Sequence, residues 1–185
     1  MESETLAAIV EAIVLTASGP VTAEGVSEAI DDREVTVEQV EQALDRLQQS
    51  CGESARGVRM ERVGGGWRCV TPAELEPYLR AYHGVVRRQR LSQAALETLA
   101  IVAHRQPVTL PEVNFIRGAN SSAVVRTLLD RKLIRLAGRK RVVGKPFLYR
   151  TTREFLTHFG LERAEDLPRP EELVAGEETA SDPSA

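Results

Sequence analysis

The side chains of this 185-residue chain that might do covalent chemistry are few and scattered. Its three histidines, His83, His104 and His158, lie far apart, and none falls in an HExxH or comparable metal-hydrolase spacing. A general acid or base must sit within hydrogen-bond reach of the group it serves, and no such pairing is written into these spacings. His104 and His158 stand instead near the ends of expected helices, where an imidazole interacts with terminal carbonyls. The two cysteines, Cys51 and Cys69, lack CxxC spacing and clustered partners, which reads as free thiols in a reducing compartment. The glycine run 64–66 lacks the Lys-Ser or Lys-Thr ending and the following helix of a phosphate-binding loop, so hairpin flexibility accounts for it. The expectation is therefore no catalytic residue, no cofactor and no metal.

What remains is charge. The formal net charge of -3 conceals three blocks. Residues 1–86 hold 7 basic and 15 acidic groups, residues 87–153 hold 15 basic and 3 acidic, and residues 154–185 hold 2 basic and 9 acidic. A block as basic as the middle one attracts nucleic acid, an acidic protein surface or the chain's own acidic ends. Composition alone does not choose among them.

The elements that must position these charges follow from periodicity. Leu6, Ile9, Val10, Ile13 and Val14 make one apolar helical stripe over residues 6–17, which Ser18, Gly19 and Pro20 end. Thr22 is placed to cap a short second helix, and Thr36 with Gln39 has capping-box spacing ahead of a third that carries Val37, Val40, Leu44 and Leu47. Alternation around Met60, the glycine run and Trp67 then predict a hairpin. Thr71 is placed to cap a connecting segment in which Pro77 kinks or restarts the helix. Three helices and a hairpin are the order of a winged helix.

The order recurs. Ser92 caps a helix carrying Leu96, Leu99, Ala100 and Ala103, Thr109 and Glu112 make a second capping box, and Gly118 ends the helix. Residues 9–22 align without a gap on 96–109, so that Pro-Val-Thr at 20–22 falls on Pro-Val-Thr at 107–109. Asn120 or Ser121 opens a third helix with Val124, Val125, Leu128 and Leu129 on its apolar side. A strand from Ile134, a turn at Gly138, a second bend at Gly144 and a strand over 147–151 make a basic wing, after which Thr152 caps a terminal helix stopped by Gly160. The fold class is thus mainly α with small β-hairpins, as tandem winged-helix domains. The first domain and its connector span 1–84, the second spans 85–167, and 168–185 is an acidic tail without periodicity, expected to be disordered. No run approaches the ~18 apolar residues of a membrane-spanning helix, so the chain is expected to be soluble and intracellular, without a membrane partner.

In winged-helix DNA binders the third helix enters the major groove and the wing touches phosphates. The second domain offers Arg126, Arg131 and Lys132 on or beside that helix, and Arg139, Lys140, Arg141 and Lys145 on the wing, but base-reading side chains are sparse. The first domain's third helix bears Glu38, Glu41 and Asp45, which oppose phosphates. Two unequal halves suit protein assembly better than two equivalent DNA readers; a winged-helix transcription regulator is the alternative.

The second half resembles the segregation and condensation protein B family, the winged-helix accessory subunit of the bacterial chromosome-organising complex. The resemblance is carried by LSQAALETLAIVA (91–103), RQPVT (105–109), IRGANS (116–121), LIR (133–135), GRK (138–140), GKP (144–146), Tyr149, TTREFL (151–156), HFGL (158–161) and DLP (166–168). Residues 6–72 match more loosely, through helix order, GPVT (19–22) and GGGW (64–67). The resemblance implies a homodimeric, non-enzymatic adaptor that binds the kleisin subunit, segregation and condensation protein A, and works with the SMC ATPase in chromosome condensation and partition. It further implies a cytoplasmic, nucleoid-associated location, DNA touched weakly or indirectly, dimerisation by the first domains and kleisin binding by the second. His104 stands where many relatives have tyrosine, and LPEVN (110–114) replaces a more charged run. Contact candidates are Arg117, Asn120, Arg126 and Arg139, although Arg117 and Arg139 serve equally well to hold wing and helix together. Leu6, Ile9 and Ile13 are candidates for a dimer contact or for the first core.

Overall fold

The computed structural model describes residues 2–32, 34–53, 56–84 and 90–168. The first half runs α1 (Ser3–Thr16), α2 (Ala23–Ile30), α3 (Val37–Glu53), then an antiparallel hairpin of β1 (Arg59–Val63) and β2 (Gly66–Val70). In α1, Leu6, Val10 and Val14 recur every four residues, so they share one face and are buried together. Thr22 Oγ1 accepts from the Gly25 amide at 3.1 Å to start α2, and Asp31 ends it in the left-handed region. The reciprocal bonds of Thr36 and Gln39, 3.3 and 2.9 Å, start α3. These helices and the hairpin close over Val26, Val40, Leu44, Met60 and Trp67.

A 3-10 turn (Ala73–Leu75) leads into α4 (Glu76–His83). Pro72, not Thr71, precedes the turn, and Pro77 lies in the first turn of α4, where its missing N–H costs nothing. No residue of α4 is buried. The boundary expected at 85–90 falls, but for Arg90, outside the described residues, as does the tail beyond Pro168.

The second half runs α5 (Gln93–Arg105), β3 (Val108–Thr109), α6 (Leu110–Arg117), α7 (Ser122–Asp130), β4 (Ile134–Arg139), β5 (Phe147–Thr151), α8 (Arg153–Phe159) and a 3-10 turn (Ala164–Asp166). Its sheet has the order β3-β5-β4. Ser92, Thr109 and Thr152 cap their helices through their side chains, and Gly118 and Gly160 end theirs with positive φ. The core gathers Leu99, Val102, Val113, Val125, Leu128, Ile134, Tyr149 and Phe155. Two local expectations change. The buried face of α5 holds Ala95, Thr98, Leu99, Val102 and Ala103, leaving Leu96 and Ala100 exposed, because Thr98 satisfies its hydroxyl on Ala94 O at 2.8 Å and is tolerated inside. Gly138 does not turn the chain: its φ of 112° lets β4 bulge between Leu136 and Arg139 and continue, and the reversal comes at Gly144 and Lys145.

The internal echo is structural. Val21 exchanges two backbone bonds with Trp67, at 2.8 and 2.7 Å, and the next residue caps α2. Val108 pairs with Tyr149 in β5, and the next residue caps α6. In both halves Pro-Val-Thr therefore ties the second helix to the return strand of the hairpin.

The tip of the first hairpin also touches the second half. Gly64 and Gly65 donate to the carbonyls of Leu161 and Glu162 at 2.8 and 3.2 Å, Arg68 donates to Thr157 O at 3.1 Å, and Arg153 donates to Pro20 O at 3.3 Å. A Cβ on Gly64, at φ +58°, would lie 3.0 Å from Arg153 Cγ; one on Gly66 would lie 2.7 Å from Val21 O. Among the described residues no helix is long and apolar enough to cross a membrane.

Two outcomes follow. Gly66→Ala sets a methyl against backbone that cannot yield and should cost about 1–3 kcal/mol, read as a lower urea midpoint; an unchanged midpoint contradicts the packing. On α6, Glu112 accepts from Lys140 of the second hairpin first of all, and from the Thr109 hydroxyl at 2.7 Å and amide at 2.8 Å, which together hold its carboxyl at about 2, below the ordinary 4.5. A depressed carboxylate stabilises the fold above 4.5 and loses that contribution as pH falls toward 2. With the side chain 42% exposed, water screens the pair and the contribution is below about 1 kcal/mol. Stability measured between those pH values should fall less steeply in Glu112→Gln than in the parent; parallel curves would contradict the assignment.

Candidate partner-binding site

The sequence-derived contact candidates sit in very different surroundings. Arg117, at the end of α6, is largely covered: Nε reaches Glu97 of α5 at 3.1 Å and Nη1 reaches Ser121 Oγ at 3.4 Å, so it clamps α5 and α6 to the start of α7. Asn120 Oδ1 accepts from the Ser122 amide at 2.9 Å and its hydroxyl at 2.7 Å, supplying the cap that buried Ser121 does not. Arg139 donates to Lys145 O at 3.1 Å and lies 3.9 Å over the Phe147 ring, holding the wing in shape. Arg126 alone of the four is exposed on α7 without a hydrogen bond or ion pair to a described residue. Leu6 belongs to the first core, Ile13 packs against it, and Ile9 is half-buried outside that cluster.

The remaining chemistry-bearing groups do not converge. The three histidines are exposed and lie on α4, α5 and α8. Both cysteines are free, Cys51 buried and Cys69 half-buried; burial first, then Cys51 and Glu11 nearby, push the Cys69 thiol above its usual range, the opposite of an activated nucleophile. Among the described residues no group of three or more His, Cys, Asp or Glu is placed to hold a metal.

The surface feature that does stand out was not found from the sequence. Phe115 is 88% exposed and Ile116 49% exposed, on the outer side of α6. With Arg105, Pro107, Val108, Pro111 and Glu112 they line an open groove of about 540 Å³. The residues of α6 that turn inward, Leu110 and Val113, are three apart; Phe115 falls on the opposite side of the helix, and Ile116, three residues after Val113, stands at the margin of the buried face. That off-stripe aromatic was the available signal. An exposed phenylalanine has roughly 1.5–3 kcal/mol to gain from burial against a partner, and the groove beside it is rigid because a capped helix and two prolines build it. A second apolar feature is α4, where Tyr78 and Tyr82, four residues apart, are 74% and 85% exposed.

Among the described residues the arrangement assembles no reaction centre, and its prominent features are exposed apolar surfaces. A family model described as segregation and condensation complex subunit ScpB matches residues 8–170. Segregation and condensation protein B of Syntrophotalea carbinolica is 40% identical over 174 residues, 94% of this chain and 86% of the relative. That of Halalkalibacterium halodurans is 44% identical over 153 residues, 81% and 78% of the two chains. The crystal structure of ScpB from Mycobacterium tuberculosis is 35% identical, covers 87% of this chain and 98% of its own, and superposes with a TM-score of 0.42. With a family model spanning most of its length and relatives well above 30% identity, the chain belongs to the ScpB family of non-catalytic subunits of the segregation and condensation complex.

Proposed function

We propose that this chain is a dimeric adaptor that binds the kleisin subunit, segregation and condensation protein A, and through it joins the SMC ATPase in chromosome condensation and segregation. It works in the cytoplasm, associated with the nucleoid. Residues 1–84 supply dimerisation and 85–167 the kleisin-binding face. The observation that carries the reading is the groove beneath Phe115 and Ile116, a preformed apolar site at the edge of a rigid helix, with Arg105 and Glu112 on its rim. Family membership over residues 8–170 supports the same partner. Tyr78 and Tyr82 on the otherwise uncovered α4, together with exposed Leu15 and half-buried Ile9 on α1, offer apolar area to the dimer, while Leu6 is spent in the core and Ile13 packs against it.

Specific DNA reading is disfavoured by the same geometry. Arg117 and Asn120 are committed to internal bonds, Arg139 and Lys140 to the wing and Glu112, and Arg126 alone of the four contact candidates is left open on the helix that would enter a groove. DNA contact is weak or made through the complex.

Purified protein mixed with the kleisin should give one defined complex by light scattering, containing two copies of this chain. Phe115→Ala, with an unchanged circular dichroism spectrum, should weaken that complex about tenfold or more. Persistent non-association across moderate salt would remove the adaptor reading; full affinity in the alanine variant would move the contact off the groove.

A further inference from the structure

The second hairpin places two like charges face to face. Arg135 of β4 pairs directly with Arg150 of β5 in the antiparallel register. Like charges opposite one another on adjacent strands are destabilising, and a fold with no use for the pair has no reason to hold both. Neither guanidinium makes a hydrogen bond or ion pair with a described residue. Arg153, whose position in the first turn of α8 is also unfavourable for a cation, joins them along one cleft of about 570 Å³ between the two halves. Its far side is formed by the first hairpin's tip at Gly64 and by Glu162 and Glu165.

We infer that this cleft is a second docking site, for a short acidic segment of a protein partner. Charge complementarity names the ligand as an anion, since four arginines line the cleft, of which only Arg163 has a carboxylate partner among the described residues, Asp166 at 3.9 Å, and Glu162 spends its carboxylate on Arg62 at 3.7 Å. Planar guanidinium forks take carboxylates bidentately. Duplex DNA fits less well. Arg139 and Phe147 pair with the parity of Leu136 and Tyr149, on the opposite face of the hairpin from Arg135 and Arg150, so no basic track continues to the wing tip. The rim carboxylate of Glu165 would oppose a continuous phosphate backbone, whereas a peptide sets its charges only where the arginines are. The site is separate from the Phe115 groove, and the inference rests on the adaptor reading only in taking the ligand to be a protein.

The test uses the full chain and a fluorescent peptide of glutamate, aspartate and leucine, read by anisotropy, beside a peptide in which glutamine and asparagine replace the acids. The acidic peptide should bind, its neutral counterpart should not, and Arg135→Gln with Arg150→Gln should weaken binding at least tenfold. The charge-matched pair Arg141→Gln and Lys145→Gln at the wing tip should bind as the parent does. Equal binding by all three proteins, or by both peptides, overturns the site. Arginine-dependent binding of random duplex DNA tighter than that of the peptide reassigns it to nucleic acid and overturns the inference. If neutralising Glu171, Glu172, Glu177 and Glu178 to glutamine is needed before the peptide binds, the occupant is the chain's own end and a partner segment is overturned likewise. Kleisin association is scored alongside: its absence from the parent defeats the adaptor reading, whereas kleisin binding without acidic-peptide binding defeats only this inference.

Discussion

One junction governs both halves of the molecule. The chain leaves the first helix of each unit, makes one or two residues of strand against the hairpin's return strand, and starts the second helix on a threonine cap within the next residue. At the first junction Val21 exchanges backbone bonds with Trp67, the largest fully buried side chain of its core; at the second Val108 pairs with Tyr149. The pairing satisfies backbone groups that would otherwise be buried without partners, and the cap satisfies the first amides of the helix. Helix and hairpin are thereby fixed to each other at one point. Small units with thin aliphatic cores need such a staple, because apolar burial alone leaves a domain of this size marginal.

The exposed apolar surface of the second unit follows from that geometry. In the second unit the junction fixes α6 by its first turn, so the side chains of its later turn, Phe115 and Ile116, project from a rigid base beside Pro107 and Pro111. Glu112 adds a tie from the same turn to Lys140 in the wing. Three of the contact candidates serve the fold through internal bonds: Arg117 joins three helices, Asn120 caps one, and Arg139 stiffens the hairpin. The contact between the halves runs against the charge segregation: a cation of the acidic first block, Arg62, meets Glu162 of the acidic last block, beside the amides of Gly64 and Gly65.

The fold was legible to the extent that it rests on local chemistry. Threonine and serine caps, glycine stops and the repeated Pro-Val-Thr each act within a few residues, and each was readable as a spacing. Gly138 was misread because a glycine licenses a bulge as readily as a turn, and only cross-strand register distinguishes them. The face of α5 was misread because Thr98 carries a hydroxyl that the helix itself satisfies. The surfaces were less legible still. Whether an arginine is a contact or a clamp depends on what the fold brings beside it, as Glu97 is brought to Arg117 from twenty residues away. The opposition of Arg135 and Arg150 exists only once the strands are in register.

On the adaptor reading proposed above, the partner covers the outer side of α6 in the second unit. Amide hydrogen exchange of the chain with and without bound kleisin tests this most directly. Added protection should appear at Phe115 and Ile116, while Val21 and Val108, already locked in their junctions, stay equally slow in both states. Protection confined to other elements, or fast exchange at the two junction valines in the free chain, would contradict it.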